Sequence, residues 1–255
     1  MEKRLKMKKA SFIVCEGMDG SGKTTVSKYL LELMGLFGYD VKWTREPGGT
    51  PLAESIRNLI LTTEMDSTTE LLLFNAARRD HVENLIKPSL AKDITVVSDR
   101  FVDSTIAYQC YANQRSPLHQ VLSLHQTCID FDPDYVIYLD ILPEVAAARA
   151  NQRGAGDRFD NMPADYKKRL EMGYQVGMLM HKASTSTEVV TIDANQNLLD
   201  VFEQVFNWFV RYYCATHQPA ASFVFDNEKH TKALENPVLQ AALEQHRQHW
   251  RLNFS

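Results

Sequence analysis

Cysteine is scarce in this chain: four in 255 residues, at Cys15, Cys110, Cys128 and Cys214. They stand far apart, with no C-x-x-C pair and no zinc-like Cys/His spacing, so neither a disulfide framework nor a structural zinc site is expected. Reduced thiols in the cytoplasm fit this usage best. Long apolar runs are missing too. After the basic opening MEKRLKMKK, which reads as a solvated N-terminal arm, the stretch SFIVC is too short for a signal-peptide core or a membrane span. No membrane partner is expected. Positive charge is not in excess, since 28 lysines and arginines stand against 32 aspartates and glutamates for a net charge of -4. That balance gives no reason to expect a nucleic-acid partner. Repeats and low-complexity tracts are absent as well, and the length suits one α/β domain with an appendage.

What the sequence does have is alternation. Short apolar runs at Phe12 to Cys15, Val41 to Thr44, Thr95 to Ser98, Tyr135 to Leu139 and Val189 to Ile192 read as five strands of a mostly parallel sheet buried on both faces. Helical patterns lie between them: Lys23 to about Phe37, Leu52 to Leu61, Thr69 to Leu90, Ser116 to Ile129, Glu144 to Gln152, Ala164 to Ala183 and Leu198 to Tyr213. Strands alternating with helices predict an α/β fold, a doubly wound five-stranded parallel sheet flanked by helices. The polar, glycine-containing patch RGAGDRFDNMP, Arg153 to Pro163, reads as a mobile loop. After Tyr213 the pattern changes, and Pro237 opens a candidate helix that would pack back on the core.

The first strand runs into EGMDGSGKTT, in which Gly17 to Thr24 satisfy G-x-x-x-x-G-K-[ST]. Its place between a strand and a helix makes it a phosphate-binding loop rather than a chance match. Backbone N–H groups at Gly17, Gly20, Ser21 and Gly22 would turn toward phosphate oxygens, and the helix beginning at Lys23 adds its positive end. Lys23 would bridge the β- and γ-phosphates of ATP, and the Thr24 hydroxyl, next to Thr25, would ligate Mg²⁺. No N-K-x-D occurs to read guanine. Asp19 is the anomaly, a carboxylate inside a loop built for anions.

Three further clusters fall just beyond predicted strands, where α/β sheets collect ligands. They are TREPGGT from Thr44 to Thr50, DRF from Asp99 to Phe101, and the arginines Arg149, Arg153 and Arg158 around the glycine loop. A phosphate acceptor is already an anion near neutral pH, so transfer to it needs charge screening more than a general base. Arg45 and Arg100 could clamp such an acceptor while a closing arginine loop excludes water.

EGMDGSGKTT, TREPGGT, LLLFNAARRDH and DRFVDSTIAYQ occur in the order and spacing of the thymidylate kinases, and the chain resembles that family over roughly residues 11–213. The resemblance implies phosphorylation of dTMP to dTDP by ATP with Mg²⁺, and a homodimer formed through packed helices, for which the Thr69 to Leu90 helix could supply a face. It divides the chain into a basic arm at 1–10, a kinase domain at 11–213 with a lid near 149–163, and an extension at 214–255 without counterpart in the family.

The resemblance also assigns residues. Phe74 would stack on thymine and Arg78 would donate to a base carbonyl. Arg45 and Arg100 would hold the acceptor phosphate beside Glu46 and Pro47. Thr105 would meet the base edge, and Tyr108 would pack under the sugar, disfavouring a 2′-hydroxyl. Gln109 is a further candidate for dTMP, and Ser104 either a ligand or a local hydrogen-bonding residue. Asp99 would stand near Mg²⁺ or cap the next helix. Asp19 would meet the sugar 3′-hydroxyl, giving the phosphate loop a hold on both substrates. Family members carry the catalytic arginine either in that loop or in the lid. Gly20 and Ser21 are not basic here, which points to Arg153 and Arg158, with Arg149 near ATP. TIDANQ, including Ala194, would pass by adenine. Asn151 departs from the arginine of some bacterial members.

Overall fold

The computed structural model describes residues 10–152, 163–184 and 186–217. Arg153, Arg158, residues 1–9 and the candidate helix from Pro237 lie outside the described residues. Five strands form one parallel sheet in the order β2-β3-β1-β4-β5. They are β1 (Phe12–Glu16), β2 (Val41–Arg45), β3 (Thr95–Asp99), β4 (Tyr135–Asp140) and β5 (Glu188–Asp193). All five sequence readings find their strand, and every strand runs one residue further than read, onto Glu16, Arg45, Asp99, Asp140 or Asp193. β5 also begins one residue earlier, at Glu188; the residue added at each carboxyl end is charged, and an apolar run gives no warning of it. The chain reverses direction about β1, whose neighbours are β3 and β4, and the crevice at that point is where doubly wound sheets bind ligands.

Burial on both faces holds for the central β1 and β3, which are buried throughout. It does not hold at the edges. β2 and β5 keep several partly exposed or exposed residues, because an edge strand lacks a neighbour on one side.

The helices α1 (Lys23–Leu36), α2 (Pro51–Thr62), α3 (Ser67–His81), α4 (Lys87–Leu90), α5 (Val102–Thr105), α6 (Leu118–Cys128), α7 (Pro143–Gln152), α8 (Ala164–Ser184), α9 (Leu198–Trp208) and α10 (Cys214–Thr216) cover the sheet. Helix α3 starts at Ser67 because Asp66 caps it, accepting from the N–H groups of Thr68 and Thr69. The segment read as one helix to Leu90 widens to a π turn over Val82–Ile86 just before Pro88, which has no N–H for the ladder. Similarly, α9 continues through a π turn at Phe209–Tyr213. Helix α5 and the π-helical stretch Ile106–Ala112 were not among the helical readings. Residues 101 to 109 are buried on every side, so no amphipathic period marks them.

Among the described residues, no helix is long and apolar enough to cross a membrane. All four cysteines are free thiols.

Candidate active site

The phosphate loop leaves β1 at Glu16 and enters α1 at Lys23. Gly20 has φ +89°, and a Cβ there would lie 2.2 Å from the Ala146 carbonyl oxygen, so only glycine lets the loop pass under α7. Lys23 is buried and donates from Nζ to the Met18 carbonyl at 2.9 Å, closing the loop across its own mouth. Burial and the nearby Arg100 lower its ammonium pKa, while Asp19 and Asp99 oppose that shift.

Asp19 lies 3.5 Å from Lys23 Nζ, ion-pairs with Arg100 and accepts from the Tyr108 hydroxyl. Burial alone would raise its carboxyl. Arg100, Lys23 and the Tyr108 hydrogen bond instead hold it well below the usual carboxylate range. The carboxylate that seemed misplaced among anion-binding amides is therefore the counter-charge for two cations.

Arg100 occupies the left-handed region at φ +80°, which costs a non-glycine residue about 1–3 kcal/mol. Its backbone is held there by its N–H to the Cys15 carbonyl at 3.0 Å and by Ser98 Oγ, which donates to the Arg100 carbonyl at 2.8 Å. Nη1 then reaches Ser104 Oγ and the Tyr174 hydroxyl, each at 3.0 Å. The strain turns the side chain back over the phosphate loop. Glu16 underlies this turn: Phe101 N at 2.7 Å and Ser104 N at 3.2 Å donate to its Oε1, and Ser104 Oγ at 2.7 Å donates to Oε2. Burial and Asp103 push the Glu16 carboxyl up to about 8, against the pull of Arg100 and those donors. Ser104 is thus tied into local hydrogen bonds. Neither Glu16 nor Tyr174 is given a role by the sequence, where Glu16 only opens EGMDGSGKTT and Tyr174 reads as part of a helix pattern.

At TREPGGT the Glu46–Pro47 peptide is cis. Gly49, at φ +90°, packs so close that a Cβ would fall 2.4 Å from Thr44 Oγ1 and 2.7 Å from His81 Nε2. Glu46 is buried between two partners, accepting from Arg78 Nε at 2.7 Å and His81 Nδ1 at 2.9 Å. Burial would raise its carboxyl, but Arg78 and His81 bring it below the ordinary value. Arg45, partly exposed, pairs with Glu54 at 3.0 Å. Arg57 donates to the Pro47 carbonyl at 3.0 Å, and its pKa is lowered by burial and then by Arg45, with Arg100 adding to the effect. Arg57 is thus close enough to feel the charges of Arg45 and Arg100, with Glu54 and Asp99 opposing them. Sequence reading found Arg45 and Arg100 and missed Arg57, whose one signal was E-x-x-R on the helix following TREPGGT.

Arg78 is buried and donates through Nη2 to the Phe101 carbonyl at 3.2 Å and Thr105 Oγ1 at 2.8 Å. Its Nη1 is buried without a hydrogen-bond partner among the described residues, a donor left over once its other nitrogens are paired. Phe74 is half-buried one turn earlier on α3. Gln109 donates from Nε2 to Glu70 Oε1 at 3.0 Å.

On the nucleotide side, Thr24 donates its hydroxyl to Asp99 Oδ2, while Asp99 Oδ1 and Ser21 Oγ are buried without partners among the described residues. Asp99 does not cap α5, whose N-cap position is Phe101. Oxygen donors left unsatisfied beside a hydroxyl suit a hard divalent cation, so this pair fits Mg²⁺. Arg149 donates to the carbonyls of Ala194 at 2.6 Å and Gln196 at 2.7 Å, which ties α7 to the loop after β5.

The family model described as thymidylate kinase matches residues 15–205. The thymidylate kinase of Acinetobacter baylyi is 44% identical over 168 residues, covering 64% of this chain and 83% of that protein. That of Shouchella clausii is 37% identical over 216 residues, or 82% and 99%. That of Hahella chejuensis is 39% identical over 200 residues, or 76% and 93%.

Proposed function

The chain belongs to the thymidylate kinase family, and from that premise we propose a mechanism built on its own side chains. It is a nucleoside monophosphate kinase that moves the γ-phosphoryl group of ATP onto dTMP, giving dTDP. One observation carries the reading: Asp19, in the phosphate loop, is bonded to Arg100 and Tyr108 of the opposite wall, so donor and acceptor sites share one carboxylate.

The loop amides and Lys23 cradle the ATP phosphates. Arg45, Arg57 and Arg100 face the acceptor monophosphate and offset its repulsion from the γ-phosphate. Asp19 keeps Arg100 over the loop and accepts the sugar 3′-hydroxyl, while Tyr108 packs beneath the sugar. Phe74 stacks on the base, with Arg78 Nη1 free to donate to its carbonyl. Thr24 and Asp99 would hold Mg²⁺, which would supply neutralisation of the phosphate charge. Arg153 and Arg158 complete the screen as the lid closes and water is excluded. Arg149 acts less on phosphate than on the backbone of 194–196, where adenine passes.

We read residues 11–213 as the catalytic unit and place it in the cytoplasm, in keeping with its free cysteines. We also read it as a homodimer, with Leu72 of α3 and Leu52 and Leu59 of α2 as an apolar face on the outside of the protomer. Light scattering on wild type and Leu72→Glu tests this, and a monomeric wild type overturns it.

The reaction is tested by coupled assay with a panel of acceptors. dTMP is expected to exceed dUMP, dCMP and thymidine by a wide margin. Comparable rates with thymidine would indicate a nucleoside kinase, and ATP turnover indifferent to dTMP a nucleotide-binding regulator.

A further inference from the structure

Glu70, Phe74 and Arg78 recur at four-residue spacing along α3, which puts them on one face of the helix. Two polar rungs join this face to the segment 102–112. Arg78 Nη2 reaches Thr105 Oγ1 at 2.8 Å, and Gln109 Nε2 reaches Glu70 Oε1 at 3.0 Å. Phe74 lies between the rungs in sequence. The pairing runs antiparallel, 78 with 105 and 70 with 109, so on the reading that Phe74 stacks on the base, both rungs would border that base.

Their chemistry is directional. A glutamine amide can turn either its NH₂ or its carbonyl toward a neighbour, and the two arrangements are nearly isosteric. A carboxylate oxygen that accepts at 3.0 Å selects the NH₂, because the flipped amide would oppose two oxygens. Glu70 and Gln109 are both buried, so water does not readily compensate a flip. Gln109 is thereby left with its carbonyl oxygen as the group that can meet a ligand. Arg78, with Nε on Glu46 and Nη2 on Phe101 and Thr105, contributes Nη1 as a donor. One donor and one acceptor match a base that presents a carbonyl oxygen beside a ring N–H. Thymine and uracil have that edge, and cytosine has its inverse, an amino donor beside an unprotonated ring nitrogen.

We propose that Glu70 is a specificity-determining positioning residue: by fixing the amide of Gln109, it commits the pocket to bases with an N3–H and turns away cytosine. This rests on the reading that Phe74, Arg78 and Gln109 surround the base of the acceptor. Glu70 itself touches no substrate. Without it the amide can rotate, and Gln109 can donate to the cytosine ring nitrogen as easily as it accepts from thymine.

The test is kcat/KM for dTMP and for dCMP in wild type, Glu70→Gln, Gln109→Ala and the double variant. Glu70→Gln keeps size and can pair with either amide orientation. It is expected to lower the dTMP to dCMP preference by at least about tenfold, the scale of one misdirected buried hydrogen bond. In the Gln109→Ala background the same change is expected to leave the ratio unmoved. A parallel fall on both substrates would make Glu70 merely structural, and an equal change of ratio without Gln109 would make the route wrong. Either result overturns the inference while wild-type activity on dTMP stands. A wild type inactive on dTMP would overturn the parent reading instead. If Glu70→Gln fails to fold, Glu70→Asp, whose shorter arm withdraws the acceptor, is expected to move the ratio in the same direction, and an unmoved ratio overturns the proposal.

Discussion

Asp19 and Arg100, 81 residues apart in sequence, form an ion pair across the mouth of the active site. The pair explains how an acidic residue survives among phosphate-binding amides, and why a strained backbone at Arg100 is worth keeping. Asp19→Asn preserves the shape and deletes the charge, leaving Arg100 and Lys23 less well neutralised and the Tyr108 hydroxyl with a weaker acceptor. We expect kcat/KM for dTMP to fall roughly 10²-fold, with ATP affinity changed only a few-fold. Steady-state kinetics with varied dTMP, paired with an ATP titration, measures both. A loss confined to ATP binding would show that Asp19 does not serve the acceptor.

Glu16 gives a pH signature in stability. Its carboxyl is raised by burial and Asp103 from 4.5 to about 8 in the folded protein. Between those values the folded state holds more protons than the unfolded state, so this group's contribution to stability declines as pH rises through that window. One such group changes stability by at most about 1.4 kcal/mol per pH unit. Glu16→Gln mimics the neutral carboxyl and lacks the effect. The variant is therefore expected to gain on wild type steadily from pH 5 to pH 8 in urea denaturation, and a difference independent of pH would refute the assignment.

The hydroxyl of Thr24 and the carboxylate of Asp99 are directly bonded. Thr24→Val keeps the branched shape and removes the oxygen. The variant is expected to need roughly tenfold more Mg²⁺ for half-maximal rate, and to recover much of its kcat at saturating metal. A magnesium titration of turnover decides this. An unshifted Mg²⁺ dependence would leave Thr24 as a helix-start residue and nothing more.

Much of the fold was legible because buried strands write themselves as short apolar runs, as the central β1 and β3 do, and the edge strands β2 and β5, though partly exposed, kept enough of that character to be found. The carboxyl ends of those strands were not legible, because each closes on a charged residue outside the apolar run, and three of these, Glu16, Arg45 and Asp99, serve the site. The segment 102–112 was missed as a helix for a related reason: burial on all sides erases the amphipathic period. At the site, glycine-rich and arginine-bearing motifs pointed to Lys23, Arg78 and Arg100 directly. Glu16 and His81 stand at the ends of such motifs without a role read from them, and Tyr174 lies outside them altogether. Tyr174 bonds Arg100 from 74 positions away, Glu16 holds the turn at Phe101 and Ser104 from 85 and 88 positions away, and His81 holds Glu46, the partner of Arg78, from 35 positions away, distances at which local pattern says nothing.

Arg57 is the clearest case of a residue that only the folded chain reveals, and it yields a test of the acceptor cluster. Its guanidinium is tethered to the Pro47 carbonyl, and burial together with the like charges of Arg45 and Arg100 lowers its pKa against the pull of Glu54 and Asp99. A cluster of three cations is held against mutual repulsion and is relieved when an anion enters. Arg57→Ala should therefore leave the ligand-free protein as stable as wild type or slightly more so. It should also raise KM for dTMP roughly tenfold, the effect of losing one charge-assisted contact. Thermal melting with and without dTMP separates these effects: the free melting temperature holds or rises, while the increment produced by dTMP shrinks. A variant that melts lower when free, yet keeps the full dTMP increment, would assign Arg57 to the support of α2 and remove it from the acceptor site.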